Sequence, residues 1–108
     1  MYRDHADFFK GIGNPRRIKL IKLLLANGKT TVSDLANAFD EDASTVSRYL
    51  THLRMLGILE TKREGQTKYY WVNEEKLENM FENFINFLKQ PDDQVDVFLE
   101  NISHQASP

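Results

Sequence analysis

The sequence predicts a mainly α-helical fold with one small β-hairpin, in the order α-α-α-α-β-β-α with a further α element at the end. Three observations carry that reading. Apolar residues recur at three- and four-residue spacing in four successive segments before residue 57. Between residues 58 and 72 the composition turns β-branched and aromatic around a polar turn. From Asn73 the helical period returns.

The first helix covers Tyr2 to Ile12, with Phe8, Phe9 and Ile12 at helical spacing, and stops at Gly11-Ile12-Gly13. Asn14-Pro15 supplies a cap and a proline at the first helical position of the second helix. Ile18, Leu20, Ile21, Leu23, Leu24 and Leu25 make that helix strongly apolar, and Asn27-Gly28 ends it. Thr31-Val32-Ser33-Asp34 fits a capping pattern for a short third helix carrying Val32, Leu35, Ala36 and Phe39 on one face. Asp40-Glu41-Asp42 breaks the apolar pattern. Asp42 then caps a fourth helix that runs to about Leu56, with Val46, Leu50, Leu53 and Leu56 as its buried stripe and Gly57 as its left-handed end.

The strands are expected at Ile58 to Arg63 and Lys68 to Val72, around the turn Glu64-Gly65-Gln66-Thr67. A fifth helix begins after Asn73 with Glu74 and Glu75 in its first turn, where the helix dipole favours them, and ends before Pro91. A last amphipathic stretch, Asp92 to Ile102, places Val95, Phe98, Leu99 and Ile102 on one side, and residues 103–108 are expected to fray.

With 108 residues and 41% hydrophobic content, the chain is expected to form one domain over residues 1–102. No run approaches the roughly 18 apolar residues of a membrane span, and the start of the chain leads into no signal-peptide core. The expected location is therefore the cytoplasm, without a membrane partner. Cysteine is absent, so disulfides, thiolate metal sites and cysteine-based redox sensing are excluded. The net charge of −2 conceals an asymmetry. Residues 43–72 carry Arg48, Arg54, Lys62, Arg63 and Lys68 against Glu60 and Glu64, a net of +3. Residues 73–108 carry Lys76 and Lys89 against eight carboxylates, a net of −6. One basic segment can face phosphates while the acidic segment faces away.

Two short helices joined by a tight turn, the second followed by a glycine and a hairpin, follow the plan of a winged helix-turn-helix. The helix-turn-helix is expected at residues 31–56 and the wing at 58–72. A helix that enters the major groove needs an apolar back and a front of short polar or cationic groups. Behind the fourth helix stand Val46, Leu50 and Leu53, while Ser44, Thr45, Ser47, Arg48, Thr51 and His52 cover the remaining surface. The hairpin adds Arg63, Gln66 and Lys68 around Gly65, groups suited to a phosphate backbone or a minor groove.

Several fragments resemble the ArsR family of winged-helix repressors. They are Gly13-Asn14-Pro15-Arg16-Arg17, Val32 to Ala36, Ser44 to Arg54, Gly57-Ile58-Leu59 and Arg63 to Tyr70, in family order over about residues 8–90. The resemblance implies a homodimer whose interface uses residues 1–12 and 73–90, with the fourth helix as the reader of double-stranded DNA. The expected interface residues are Phe8, Phe9, Leu77, Met80, Phe81, Phe84, Ile85 and Leu88, because that fifth helix is apolar over more of its circumference than one small domain covers. Family members that sense metals or oxidants use third-helix cysteines or acidic and histidine ligands in the fifth helix. Here Thr31 and Ser33 stand where the cysteines would lie, and residues 73–89 hold no histidine. No metal, thiol sensor or cofactor is expected, and the sequence names no protein or small-molecule effector. Ala43 and Ser44 depart from the Gln and Pro common at the tip of the reading helix, so base preference does not carry over.

Catalysis is not expected. No nucleophile–base pair, metal cluster or phosphate loop is present, and Gly11-Ile12-Gly13 lacks both a third glycine and a preceding strand. His5, His52 and His104 have no ligand spacing, and Asp40, Glu41 and Asp42 are explained by capping and turn solvation. The rival reading is a winged helix that binds protein instead of DNA, leaving Arg48, Arg63 and Lys68 as ordinary surface charges.

Overall fold

The computed structural model describes residues 2–106, and the side chains of residues 2–103. Its elements are α1 (Tyr2–Ile12), α2 (Pro15–Asn27), β1 (Thr30–Thr31), α3 (Val32–Phe39), α4 (Ala43–Met55), β2 (Leu59–Glu64), β3 (Thr67–Val72), α5 (Glu74–Lys89) and α6 (Asp93–Ala106). The helices start where side chains satisfy otherwise unpaired backbone N–H groups. Asn14 accepts from the backbone of Arg16 and Arg17, Thr31 from Asp34, Asp42 from Thr45, Asn73 from Lys76 and Asp92 from Val95.

The structure adds one element to the expected order. β1 pairs antiparallel with β3, Thr30 opposite Tyr70 and Thr31 opposite Tyr69, giving a three-stranded sheet of order β1-β3-β2. Two residues carry no periodicity of their own, so only the long-range partner reveals them. The expected frayed tail from Ser103 is also corrected. α6 continues to Ala106, since neither glycine nor proline interrupts the chain between Asp93 and that point, and residues 107–108 lie outside the described residues.

The core lies between α2, α3, α4 and the base of the hairpin. Leu20, Leu24, Leu35, Val46, Leu50, Leu53 and Ile58 are fully buried, and Phe8, Phe39, Leu59 and Val72 close around them. Leu56, the last member of the expected α4 stripe, is only half-buried and packs at the edge, while Gly57 takes the left-handed conformation expected of it at φ 85°. α1 and α5 run antiparallel, joined by rings: Tyr2 meets Phe87 at 4.9 Å, Phe9 meets Phe84 at 4.5 Å and Phe8 meets Phe81 at 5.5 Å. No helix among the described residues is long and apolar enough to cross a membrane.

Two outcomes follow for stability. Leu53→Ala should lower the unfolding free energy by roughly 2–5 kcal/mol through lost burial and the cavity left behind, whereas Met55→Ala, two residues on and 81% exposed, should change it by less than about 0.5 kcal/mol; urea titration reads both. Hydrogen bonds from Thr45, then from Ser44, hold the Asp42 carboxyl below its ordinary value, with Arg48 adding a smaller pull. A depressed folded-state value means that the cap contributes fully above the unfolded carboxylate range, about pH 4, and is lost as pH falls through the lower folded value. Asp42→Asn caps without titrating, so urea midpoints measured between about pH 3 and pH 6 should fall less steeply at the acid end than those of the unsubstituted chain.

Candidate nucleic-acid interface

The orientation of α4 follows from its buried stripe. At about 100° per residue, Val46, Leu50 and Leu53 occupy one side, and Ser44, Arg48, Thr51, His52 and Met55 fall on the opposite side with Ser47 at its edge. Ser44, Ser47, Arg48, Thr51 and His52 are all exposed, while Thr45 is half-buried at the flank. Two of the hydroxyls already have partners. Ser44 Oγ donates to Asp42 Oδ1 at 2.8 Å, and Thr51 Oγ1 donates to the Ser47 carbonyl at 2.9 Å. Those oxygens remain able to accept, whereas Arg48, with its fork of donors, is the side chain on this face best built to pair with guanine or a phosphate.

The pairing of β2 with β3 fixes the register of the wing, and β2 packs against α4. Leu59 and Val72 pair at its base, Thr61 pairs with Tyr70, and Arg63 pairs with Lys68 near its tip. These pairs share one face of the hairpin, which is buried at the base and basic toward the tip. The two-residue turn is Gly65-Gln66, with Gly65 at φ 63°, a value that favours glycine and suits the twist of the strands. The Arg63 guanidinium donates weakly to the Gln66 carbonyl at 3.5 Å, and the Lys68 ammonium lies 5.3 Å from the centre of the Tyr70 ring.

A groove of about 320 Å³ joins the two parts, lined by Thr51, Arg54, Met55, Lys68 and Tyr70. It brings Lys68 beside the C-terminal half of α4, while Ser44 and Ser47 stand nearer the other end of that helix and Gln66 lies at the turn. Sequence reasoning counted Arg54 in the basic segment but did not place it at the site. Met55 was missed altogether, although a large apolar side chain on the polar face of an amphipathic helix was the available signal. An exposed methionine there offers an apolar contact of the kind a thymine methyl accepts. Lys29 was also passed over; it forms an ion pair with Glu64 at 3.6 Å and lies over the Trp71 ring at 5.3 Å, on the other face of the wing.

The eight apolar residues expected at an interface divide into groups. Phe8 belongs to the protomer's own core, because α1 turns it toward α4 and α5. Phe9, Leu77, Met80 and Phe84 are half-buried within the protomer. Phe81, Ile85 and Leu88 keep 39%, 49% and 64% of their surface in solvent, forming an apolar edge along α5. Among the described residues no group of three or more His, Asp or Glu is placed to hold a metal ion.

Known proteins share this arrangement. The family model described as HVO_A0114 matches residues 13–78, from the loop before α2 into the first turn of α5. The cadmium resistance transcriptional regulatory protein CadC of Listeria innocua is 30% identical over 83 residues, covering 77% of this chain and 70% of its own length. The transcriptional repressor SdpR of Bacillus subtilis is 30% identical over 87 residues, covering 81% of this chain and 96% of its own. The solution structure of Mb0332 from Mycobacterium bovis, described as a homodimeric winged helix-turn-helix DNA-binding domain, superposes with a TM-score of 0.65 at 26% identity, covering 84% of each chain. With its helix-turn-helix, its wing and these relatives, the chain belongs to the ArsR family of winged helix-turn-helix transcriptional regulators.

Proposed function

We propose that this chain acts as a homodimer on a pseudo-palindromic operator, setting the two copies of α4 in successive major grooves about one helical turn apart and blocking transcription. The observation that carries the reading is the exposed stripe Ser44, Ser47, Arg48 and Thr51, which continues through Arg54 into the basic face of the wing at Lys68. Arg48 reads a base edge, and Arg63, Gln66 and Lys68 follow the phosphate backbone. Thr45, at the flank of α4, and His52, one turn beyond Arg48 on its outward side, sit where they reach phosphates or sugars. Support for the dimer comes from the apolar edge Phe81, Ile85 and Leu88, and from the description of Mb0332 as homodimeric. Support for repression comes from the naming of SdpR as a repressor.

The decisive experiment titrates the purified protein against its own upstream DNA and against random duplex over a range of salt. Sequence-preferring binding with a steep salt slope is expected; a protein-binding winged helix gives no affinity for either duplex at low salt. Arg48→Ala should weaken specific binding by roughly 1–3 kcal/mol and relax sequence preference, whereas Lys68→Ala should weaken all sequences alike and reduce the salt slope by about one. An unchanged affinity and preference in Arg48→Ala removes α4 as the reading element. Ile85→Glu should convert the dimer to monomer in sedimentation, because it sets a charge in an apolar contact without disturbing the half-buried ring of Phe84; an unchanged sedimentation coefficient rules out this edge of α5 as the interface.

A further inference from the structure

The protomer measures 71 Å in its longest dimension against 24 and 21 Å, with a radius of gyration of 19.5 Å, where a compact chain of about 100 residues has about 13 Å. α6 stands apart from the core: every residue from Asp93 to Ser103 is exposed. Val95, Phe98, Leu99 and Ile102 nevertheless form a stripe at spacings of three, one and three, and they keep 38%, 60%, 54% and 43% of their surface in solvent. The family model ends at residue 78, so this helix lies beyond it.

Elsewhere the protomer carries a groove of matching character. Between the end of α1, α2 and the start of α5, Ile12, Ile18, Ile21, Leu25, Leu77 and Phe81 line a space of about 370 Å³ that presents no polar surface. Ile18 and Leu25 are 54% and 41% exposed there. The charges are complementary. Of the α2 cations Lys22 stands at the groove itself, whereas Arg16 pairs with Glu41 and Lys19 lies over the Phe39 ring; α6 carries Asp93, Asp96 and Glu100 and neither lysine nor arginine.

We propose that α6 is an exchanged arm, laying its Val95, Phe98, Leu99 and Ile102 stripe into the Ile12–Ile18–Leu25 groove of a second copy of this chain. The inference rests on the homodimer reading above. Within one protomer the root of α6 is tied to the far end of α5 from the groove. Tyr2 Oη donates to Asp92 Oδ2 at 2.8 Å and the Tyr2 ring packs on Phe87, while the groove lies beside Leu77 and Phe81. A two-fold axis crossing α5 near Ile85 sets the two copies of that helix antiparallel, so the Leu88 end of one lies beside the Leu77 end of the other. The arm, about 21 Å long, then starts next to the partner's groove. Asp96, on one flank of the stripe, approaches Lys22 of α2, while Glu100 lies on the outward side of the arm.

The absence of cysteine makes the test clean. Ile18→Cys protein carrying a size tag is mixed with untagged Phe98→Cys protein, allowed to exchange subunits and oxidised mildly. A disulfide-linked species of one tagged and one untagged chain is expected, and none when Val97→Cys, on the opposite side of α6, replaces Phe98→Cys. In sedimentation, Leu99→Glu should raise the dimer dissociation constant roughly tenfold or more, and Val97→Glu should stay within about twofold. Linkage only between two Phe98→Cys chains, closure within single chains when Ile18→Cys and Phe98→Cys are placed in one chain, or no linkage in a chain that still sediments as a dimer overturns the arm while leaving the dimer intact. A monomeric unsubstituted chain at micromolar concentration overturns the dimer and the arm together.

Discussion

The burial of Val46, Leu50 and Leu53 is the constraint from which the rest of the molecule takes its orientation. All three are sealed against Leu20, Leu24, Leu35 and Ile58, and a rotation of α4 by one residue would exchange a buried leucine for a polar neighbour such as Thr45 or Thr51. Burying such a side chain unpaired while exposing a leucine is unfavourable on both counts. Packing therefore fixes the azimuth of the helix, and the outward stripe of Ser44, Ser47, Arg48 and Thr51 is a consequence of the core. The wing takes its position from the same core through Ile58, Leu59 and Val72, so α4 and the hairpin present one continuous surface.

The junctions around that core are equally local in origin. Asp42 satisfies the first turn of α4 through the Thr45 N–H, and Asp40, in the left-handed region at φ 54°, turns the chain between α3 and α4. At the other end of the wing, Asn73 caps α5 and at the same time donates to the Glu60 carboxylate at 3.0 Å, with the Lys76 ammonium 3.5 Å from the same oxygen. Asn73 and then Lys76 hold Glu60 below its ordinary range. One asparagine thus ties the base of the hairpin to the start of α5, which couples the wing to the helix that carries the exposed apolar edge.

Much of this was legible before any coordinates, because it depends on contacts close in sequence. The capping residues Asn14, Thr31 and Asp42, the glycine after α4 and the hairpin turn all act within a few residues of themselves, and each stands where the pattern put it, while the cap that Asn73 forms on α5 is seen only in the structure. The long-range features were not legible. β1 exists only because Tyr69 and Tyr70 lie opposite Thr31 and Thr30. Phe8 reads as one aromatic among several on α1 until α5 is seen to close over it. Arg54 and Met55 join the reading face only when Lys68 and Tyr70 arrive from the hairpin. Periodicity reports which side of a helix is apolar and is silent about which partner each apolar residue will meet.

The distribution of surface follows the same logic at the scale of the whole chain. Residues 43–72 concentrate positive charge on the face built from α4 and the wing, and residues 73–108 concentrate negative charge on the helices that lead away from it. A polyanion is drawn to the first and repelled by the second, so charge alone orients the protomer on a duplex. Those acidic helices are also where the protomer is least complete, for α5 contains no buried residue and α6 is exposed along its described side chains. The groove beside α2, apolar with Lys22 at its edge, has a character complementary to that of α6. In the proposed dimer, recognition and assembly sit on opposite sides of one small core, and α5, tied at Asn73 to the base of the hairpin, links the two.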